Sequence, residues 1–359
     1  MSRLGTAASR IALIALGTLV AIALAEVGLR LVSPHPYYGY TYIPPQQGLF
    51  MYDPLLGWVG RPHACAQFAN LDFDVRVTLD GAGYRNSAPP YVNGKCNVVA
   101  LGDSYAWGWG VKDDELFSRR LNQRATDVNL YNLSAPGYGT DQELLALERF
   151  FETHPSRAFA AVILLLSAND LEDVTHDVRY TYPKPKFVLE RGALRLTNVP
   201  VPELKRAEYD RSERSYQRVG RGALTSLHLY NLVRFRVGRA LDLLGGTSRG
   251  SPSEGFGRQD SRSVDLDLTA RLLEQVAAIC AERAATFHVV LLITSDTTPD
   301  SWQWLNLGQR LEEAGIGHSR FSSRGSLDAE LWYDRHFSAR GHRRLARHIF
   351  SALREAGVR

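Results

Sequence analysis

Three cysteines in 359 residues, at positions 65, 96 and 280, are too few and too widely spaced for a disulfide scaffold or a cysteine-based metal site. A dense block of lysine and arginine is also missing. The formal charge of +4 comes mostly from arginines scattered along the whole chain, and a solvated basic surface explains them without nucleic acid as a partner. Gly108 and Gly110 lack a third glycine and a downstream ribose-binding acid, so they make no dinucleotide fingerprint. What remains is 45% hydrophobic and 22% charged, the composition of a globular protein long enough to bury a sizeable core.

Targeting character is confined to the N-terminus. Arg3 and Arg10 precede the apolar run from Ile11 to Ala25, and Glu26 interrupts before Gly28 to Val32. One reading is a membrane anchor with Arg10 inside and the bulk of the chain extracytoplasmic, in the periplasm. The alternative is a signal peptide cleaved near Ala25, since Ala23-Leu24-Ala25 fits the small-x-small pattern, which gives a secreted protein. The anchor is preferred. In an exported chain Cys65 and Cys96 can pair, while Cys280 falls on the stripe Leu268, Leu272, Val276, Cys280 and reads as a core residue.

Residues 1–32 are thus the membrane segment, and 33–90 a linker and a small extended lobe. Ser33 to Gly48 is rich in proline, tyrosine and glycine, and Phe73 to Leu79 alternates with period two before the Asp80-Gly81 turn. From residue 91 to 359 a strand-then-helix rhythm sets in. Strands are expected at Asn97 to Leu101, Val128 to Asn132, Ala160 to Leu166 and Phe287 to Ile293. Helices are expected at Glu115 to Ala125, Asp141 to Phe151, Asp267 to about Ala285, Trp302 to Ala314 (closed by Gly315 and Gly317) and from Ser338 onward. This predicts an α/β domain, a three-layer α/β/α sandwich around a mostly parallel sheet. An insertion at about 172–264, with a helix from Gly222 to Leu244 and a Gly/Ser/Arg loop from Gly245 to Ser263, covers one side of the site or a sheet edge.

The stretch Asn97 to Gly110, NVVALGDSYAWGWG, ends a rigid strand in a sharp turn that leaves Ser104 uncovered. A serine hydroxyl becomes a nucleophile when a histidine takes its proton, a carboxylate orients the histidine and donors hold the oxyanion. Each requirement has a candidate after a strand or near the chain end: Ser104, Gly137, Asn169, Asp334 and His336. Ligand sites of such sheets gather at the carboxyl ends of the strands, where these residues can converge.

The set resembles the SGNH (GDSL-type) hydrolase superfamily, whose four blocks carry Ser, Gly, Asn and His. Gly102-Asp103-Ser104, Gly137 after Asn132, Asn169-Asp170 and Asp334-Arg335-His336 are similar to those blocks in order. The flanking text, Tyr52 to Trp58, Asp80 to Arg85 and Pro136 to Glu143, resembles a bacterial, membrane-anchored subgroup. Ser167 stands where the third block usually has glycine, and one residue separates Asp334 from His336 where many members have two. The resemblance implies an SGNH/flavodoxin-like fold and a catalytic triad of Ser104, His336 and Asp334. It also implies an oxyanion hole from the Ser104 and Gly137 backbone N–H groups and the Asn169 amide, and no metal or other cofactor.

Each residue has a plainer reading. Ser104 can cap the next helix, Asn169 can satisfy loop backbone, Gly137 can serve a turn after Pro136, and His342 competes with His336 as base. Trp107, Trp109 and Tyr138 form a substrate wall or pack into the core. The resulting expectation is a serine esterase acting on acylated carbohydrate or lipid. An O-acyltransferase modifying an envelope polysaccharide and a non-catalytic glycan-binding protein are the alternatives.

Overall fold

The computed structural model describes residues 2–32, 49–69, 72–85, 95–125, 127–179, 182–204, 226–233, 237, 265–295, 297, 302–324, 328–331 and 334–358. The expected linker from Ser33 to Gly48, the loop from Gly245 to Ser263 and most of the helix from Gly222 to Leu244 lie outside these residues. The chain divides into two units, Met1–Thr41 with Arg211–Arg249, and Tyr42–Asp210 with Gly250–Arg359.

In the first unit a helix runs unbroken over Ser2–Val32, and its segment Ser9–Val32 has the length and hydropathy to cross a membrane. Ile14 and Leu24 are about two-thirds exposed. Glu26 pairs with Arg30 one turn on and accepts the backbone N–H groups of His228 and Leu229.

The second unit is built on a five-stranded sheet: β5 (Cys96–Gly102), β6 (Val128–Asn132), β7 (Ala161–Leu166), β12 (Thr286–Ile293) and β13 (Gly317–Ser322), in the order β13-β12-β7-β5-β6. Every pairing within it is parallel. Strands buried on both faces need apolar residues at every position, and Ala161–Leu166 (AVILLL) is buried throughout. Successive side chains leave on opposite faces. Val98, Ala100, Ile163 and Leu165 pack with Phe117, Leu121, Leu345 and Ile349 from helices Phe117–Arg124 and Ala339–Glu355. Val99, Leu101, Val162 and Leu164 pack with Leu147, Leu272 and Leu307 from helices Thr140–Thr153, Leu266–Glu282 and Trp302–Glu313. The result is the expected α/β architecture with helices on both faces.

Some details depart from expectation. Asp265, not Asp267, caps its helix by accepting the Leu268 N–H at 2.8 Å; Asp267 lies within the first turn and pairs with Arg310. Gly317 opens strand β13, which went unpredicted because its sequence GHSRFS is largely polar. The stretch from residue 50 is no separate lobe. Hairpin β1 (Phe50–Asp53) with β2 (Gly57–Gly60), and hairpin β3 (Cys65–Ala69) with β4 (Asp74–Thr78), bury Trp58, Phe68 and Phe73 in the main core. Cys65, exposed on its hairpin, accepts the Arg76 Nε–H at 2.8 Å and is not joined to Cys96 by a disulfide. The described first part of the expected insertion forms two short hairpins, β8 (Val178–Arg179) with β9 (Tyr182–Pro183) and β10 (Lys186–Glu190) with β11 (Ala193–Thr197), and enters this core through Tyr182 and Phe187. Residues 226–233 belong to the first unit instead.

The N-terminus of helix Thr140–Thr153 buries Asp141 and Glu143 beside Asp103, Asp170 and Asp173. Lys184, itself fully buried, pairs with Asp141. Burial, reinforced by the charges of Asp103, Asp141 and Asp173, pushes the Glu143 carboxyl well above its ordinary value. Neither Glu143 oxygen has a hydrogen-bond partner among the described residues. Because the folded chain holds this proton to higher pH than the unfolded chain, stability falls as pH rises above the ordinary value of 4.5. Glu143→Gln removes that titration. Its melting temperature relative to the parent should rise progressively from about pH 5 to about pH 8, and a pH-independent difference would refute the buried neutral acid.

Candidate active site

Ser104 is presented by a turn that only glycine allows. At the end of β5, Gly102 has φ 149°, and a Cβ there would lie 2.6 Å from the Ala106 Cβ. The chain then enters the short helix Ser104–Trp107, whose N-cap is Asp103: its carboxylate accepts the Tyr105 N–H at 2.8 Å. With Asp103 as the cap, the Ser104 hydroxyl is left for another partner. Its Oγ lies 2.7 Å from His336 Nε2.

Asp334 contacts the other side of the imidazole, Oδ1 against Nδ1. Its second oxygen accepts the Trp109 indole N–H at 2.9 Å, and its backbone N–H donates to Asp72 at 2.7 Å. The single intervening residue, Arg335, has φ 63°, a left-handed conformation that turns two nearby side chains toward each other. The short Asp-x-His spacing is thereby accommodated in the backbone. Tyr105 and Trp109 flank the His336 ring at centroid distances of 4.6 and 5.6 Å. Burial pulls the His336 pKa down, but the charge of Asp334, their hydrogen bond and the charge of Asp103 outweigh it, so the net shift is upward.

Gly137 lies in the loop after β6 with φ 76°. That loop is laced to the nucleophile turn: Ala135 N–H donates to the Gly102 carbonyl at 3.2 Å, and the Asn132 amide to the Ala106 carbonyl at 2.8 Å. Asn169 follows β7. Its amide nitrogen donates to Asp103 at 3.0 Å and Asp173 at 3.2 Å, and its oxygen accepts the Ser167 hydroxyl at 2.6 Å. The Ser167 hydroxyl also lies 3.0 Å from Asp103 and 3.2 Å from Asp170. Serine in place of the expected glycine therefore fixes which end of the Asn169 amide faces Asp103. For that amide to reach an oxyanion, one carboxylate contact must be exchanged. Burial pushes Asp173 up to about 6, against the opposing charge of Arg179 and the hydrogen bond from Asn169, so its hold on Asn169 weakens as the pH falls through that region.

Of the two readings of the aromatic residues, burial favours packing into the core. Trp107 is 1% exposed and lies under the Arg85 guanidinium, 4.6 Å from its ring centre; Tyr138 is 2% exposed and donates its hydroxyl to the Trp58 carbonyl. Neither presents a face to a ligand. Trp109, also buried, holds the acid. His342 is buried too, accepts the Phe117 N–H, and is driven down to about 3 by burial, Arg85 and Arg120, so the rival base is a neutral packing residue. Among the described residues no group of three His, Cys, Asp or Glu could hold a metal ion.

Two supporting roles were illegible in the sequence. Arg85, buried, donates to the carbonyls of Trp107, Gly108 and Val111 and pairs with Asp113, clamping the loop that follows Ser104. Burial lowers it to about 10 against the pull of Asp113, so it stays charged at neutral pH. It ends the stretch Asp80 to Arg85, and that sequence by itself assigns it no partner. The Trp109 bond to Asp334 joins residues 225 positions apart, beyond the reach of local pattern.

The GDSL-like Lipase/Acylhydrolase family profile matches residues 100–344, more than half of the chain. Solved structures with a similar chain trace include a lipolytic protein of the G-D-S-L family from Veillonella parvula (11% identity, TM-score 0.39, covering 71% of this chain and 97% of that one). Others are the psychrotrophic esterase EstA from Pseudoalteromonas sp. (11%, 0.40, 72% and 97%) and an acetylxylan esterase from Geobacillus stearothermophilus (12%, 0.39, 75% and 97%). No curated protein matches significantly. At such identities and TM-scores none of these structures bears on which ester this chain takes.

Trp109→Phe keeps the ring and deletes the N–H that Asp334 accepts. Losing a hydrogen bond to a buried carboxylate costs about 1.5 kcal/mol or more, so phosphonylation of Ser104 should slow about tenfold with the fold retained. An unchanged rate would show that Trp109 merely packs.

Proposed function

This chain belongs to the GDSL-like lipase/acylhydrolase family, and from that premise we propose that it is a serine esterase hydrolysing O-acyl esters of carbohydrate or lipid. The observation that carries the proposal is the Ser104 Oγ contact with His336 Nε2 at 2.7 Å, with Asp334 on the opposite ring nitrogen. Ser104 Oγ attacks the acyl carbon while its proton passes to His336 Nε2. The tetrahedral oxyanion is held by the backbone N–H groups of Ser104 and Gly137 and by the Asn169 amide, each such donor supplying on the order of 3 kcal/mol in the transition state. His336 returns the proton to the departing alcohol oxygen as the carbon–oxygen bond breaks. Water then attacks the acyl-enzyme, again giving its proton to His336, and the acid leaves as Ser104 regains its hydrogen. Asp334 orients the ring and stabilises its charged form.

The helix Ser2–Val32 serves in this proposal as a retained inner-membrane anchor, with the catalytic unit on the periplasmic side. Its continuity through Ala25 to Val32 and its exposed apolar surface support that role. All three aromatic residues that glycan binding without catalysis would use are buried in the core, which favours the esterase reading.

A fluorophosphonate probe applied to the detergent-solubilised full-length protein tests the proposal. Labelling should disappear in both Ser104→Ala and His336→Ala; labelling that survives either substitution overturns it. Because the base must be neutral, the labelling rate should fall on the acid side with a midpoint above the ordinary histidine value of 6.5. Asp334→Asn should move that midpoint down. A midpoint at or below 6.5 contradicts the raised pKa.

A further inference from the structure

Leu227, Tyr230, Val233 and Val237 are 37, 36, 50 and 50% exposed, and they recur three, three and four residues apart. Residues 228–233 are helical, so Tyr230 and Val233 share one side of that turn, with Leu227 just before it, while Asn231 is buried. Among the described residues of the second unit the large exposed apolar ones are Met51, Val178, Val199 and Leu305, scattered singly as on any soluble surface. A contiguous stripe is a different feature and calls for an occupant.

Its attachment indicates which one. Glu26, inside the long apolar helix, accepts the His228 N–H at 2.9 Å and the Leu229 N–H at 2.8 Å, and Arg30 donates to the Ser226 carbonyl at 3.1 Å. A carboxylate in a membrane-crossing helix needs partners, and these contacts with the Arg30 pair supply them. From Arg10 to Glu26 the helix rises about 24 Å, against a hydrocarbon thickness of about 30 Å, so Glu26 falls near the far boundary of the bilayer core. The stripe is clamped at that depth.

We infer that residues 227–233 form a second membrane contact, an interfacial segment whose Leu227, Tyr230 and Val233 enter the headgroup–acyl boundary of the leaflet on the catalytic side. The inference rests on the anchor reading of the first helix. Glu26 is its clamp, so the anchor both tethers the chain and sets the position of this segment in the bilayer.

The test uses the full-length protein in vesicles of phosphatidylcholine and phosphatidylglycerol, with Cys65→Ser and Cys96→Ser as background. A polarity-sensitive fluorophore is placed on Val233→Cys, on Leu19→Cys as the anchor reporter, or on Val178→Cys as the aqueous reference. Lipid-borne nitroxide should quench the probes at 19 and 233, and aqueous iodide the probe at 178. Adding Glu26→Gln should release the probe at 233 to iodide while the probe at 19 stays lipid-quenched. Iodide quenching at 233 with lipid quenching at 19 overturns the inference and leaves the anchor standing. Loss of lipid quenching at 19 overturns both. A probe at 233 shielded from both quenchers means that protein, a second copy or another partner, covers the stripe, and this too overturns the inference.

Discussion

The close approach of Gly102 to Ala106 and to β7 is the constraint on which the site depends. Its φ of 149° and the absence of a side chain let the first sheet strand stop abruptly, with the next helix pressed against its end. Asp103 is thereby placed to cap the helix, and Ser104 is released from that task to face His336. The loop after β6 is hydrogen-bonded to this same corner, and Asn169 after β7 to Asp103. With strand order β13-β12-β7-β5-β6, the corner lies where the sheet changes direction between β5 and β7, the place where open α/β sheets leave a crevice at their carboxyl ends.

Around that corner the protein manages an excess of buried carboxyl groups. Burial keeps Glu143 and Asp170 protonated well above the ordinary range, and the charge of Asp103 adds to the effect on both. Asp103 in turn favours the charged form of His336. Neighbouring acids are thus divided by environment: some hold protons and cost little charge repulsion, while Asp334 and Asp103 supply a negative field where a positive imidazolium must form. Ser167 joins the two sets through hydrogen-bond distances to Asp103, Asn169 and Asp170.

The sheet and most helices were legible because burial on both faces or on one stripe leaves a periodic trace, as in Ala161–Leu166 and in helix Ala339–Glu355. Strand β13 left no such trace, being a sheet edge whose sequence is largely polar. Ser104, Asp334 and His336 were nameable from their blocks, and the structure brings them within hydrogen-bonding distance. The aromatic residues stayed open between two readings for a physical reason. A tryptophan next to a nucleophile is equally suited to lining a cleft and to filling the core, and only the three-dimensional partners of Trp107, Trp109 and Tyr138 distinguish the two. The clamp by Arg85 and the interlock of Trp58 with Pro136 and Tyr138 likewise join segments distant in sequence.

The left-handed turn at Arg335 also has a consequence for how the site assembles. Acid and base are next-but-one neighbours along the chain, so their meeting closes almost no loop and loses little chain entropy. The meeting of serine with histidine spans 232 residues and requires every strand of the sheet to be in place between them. In the proposed mechanism serine reactivity is therefore a topological signal, present only when the end of β5 and the loop before the last helix have come together.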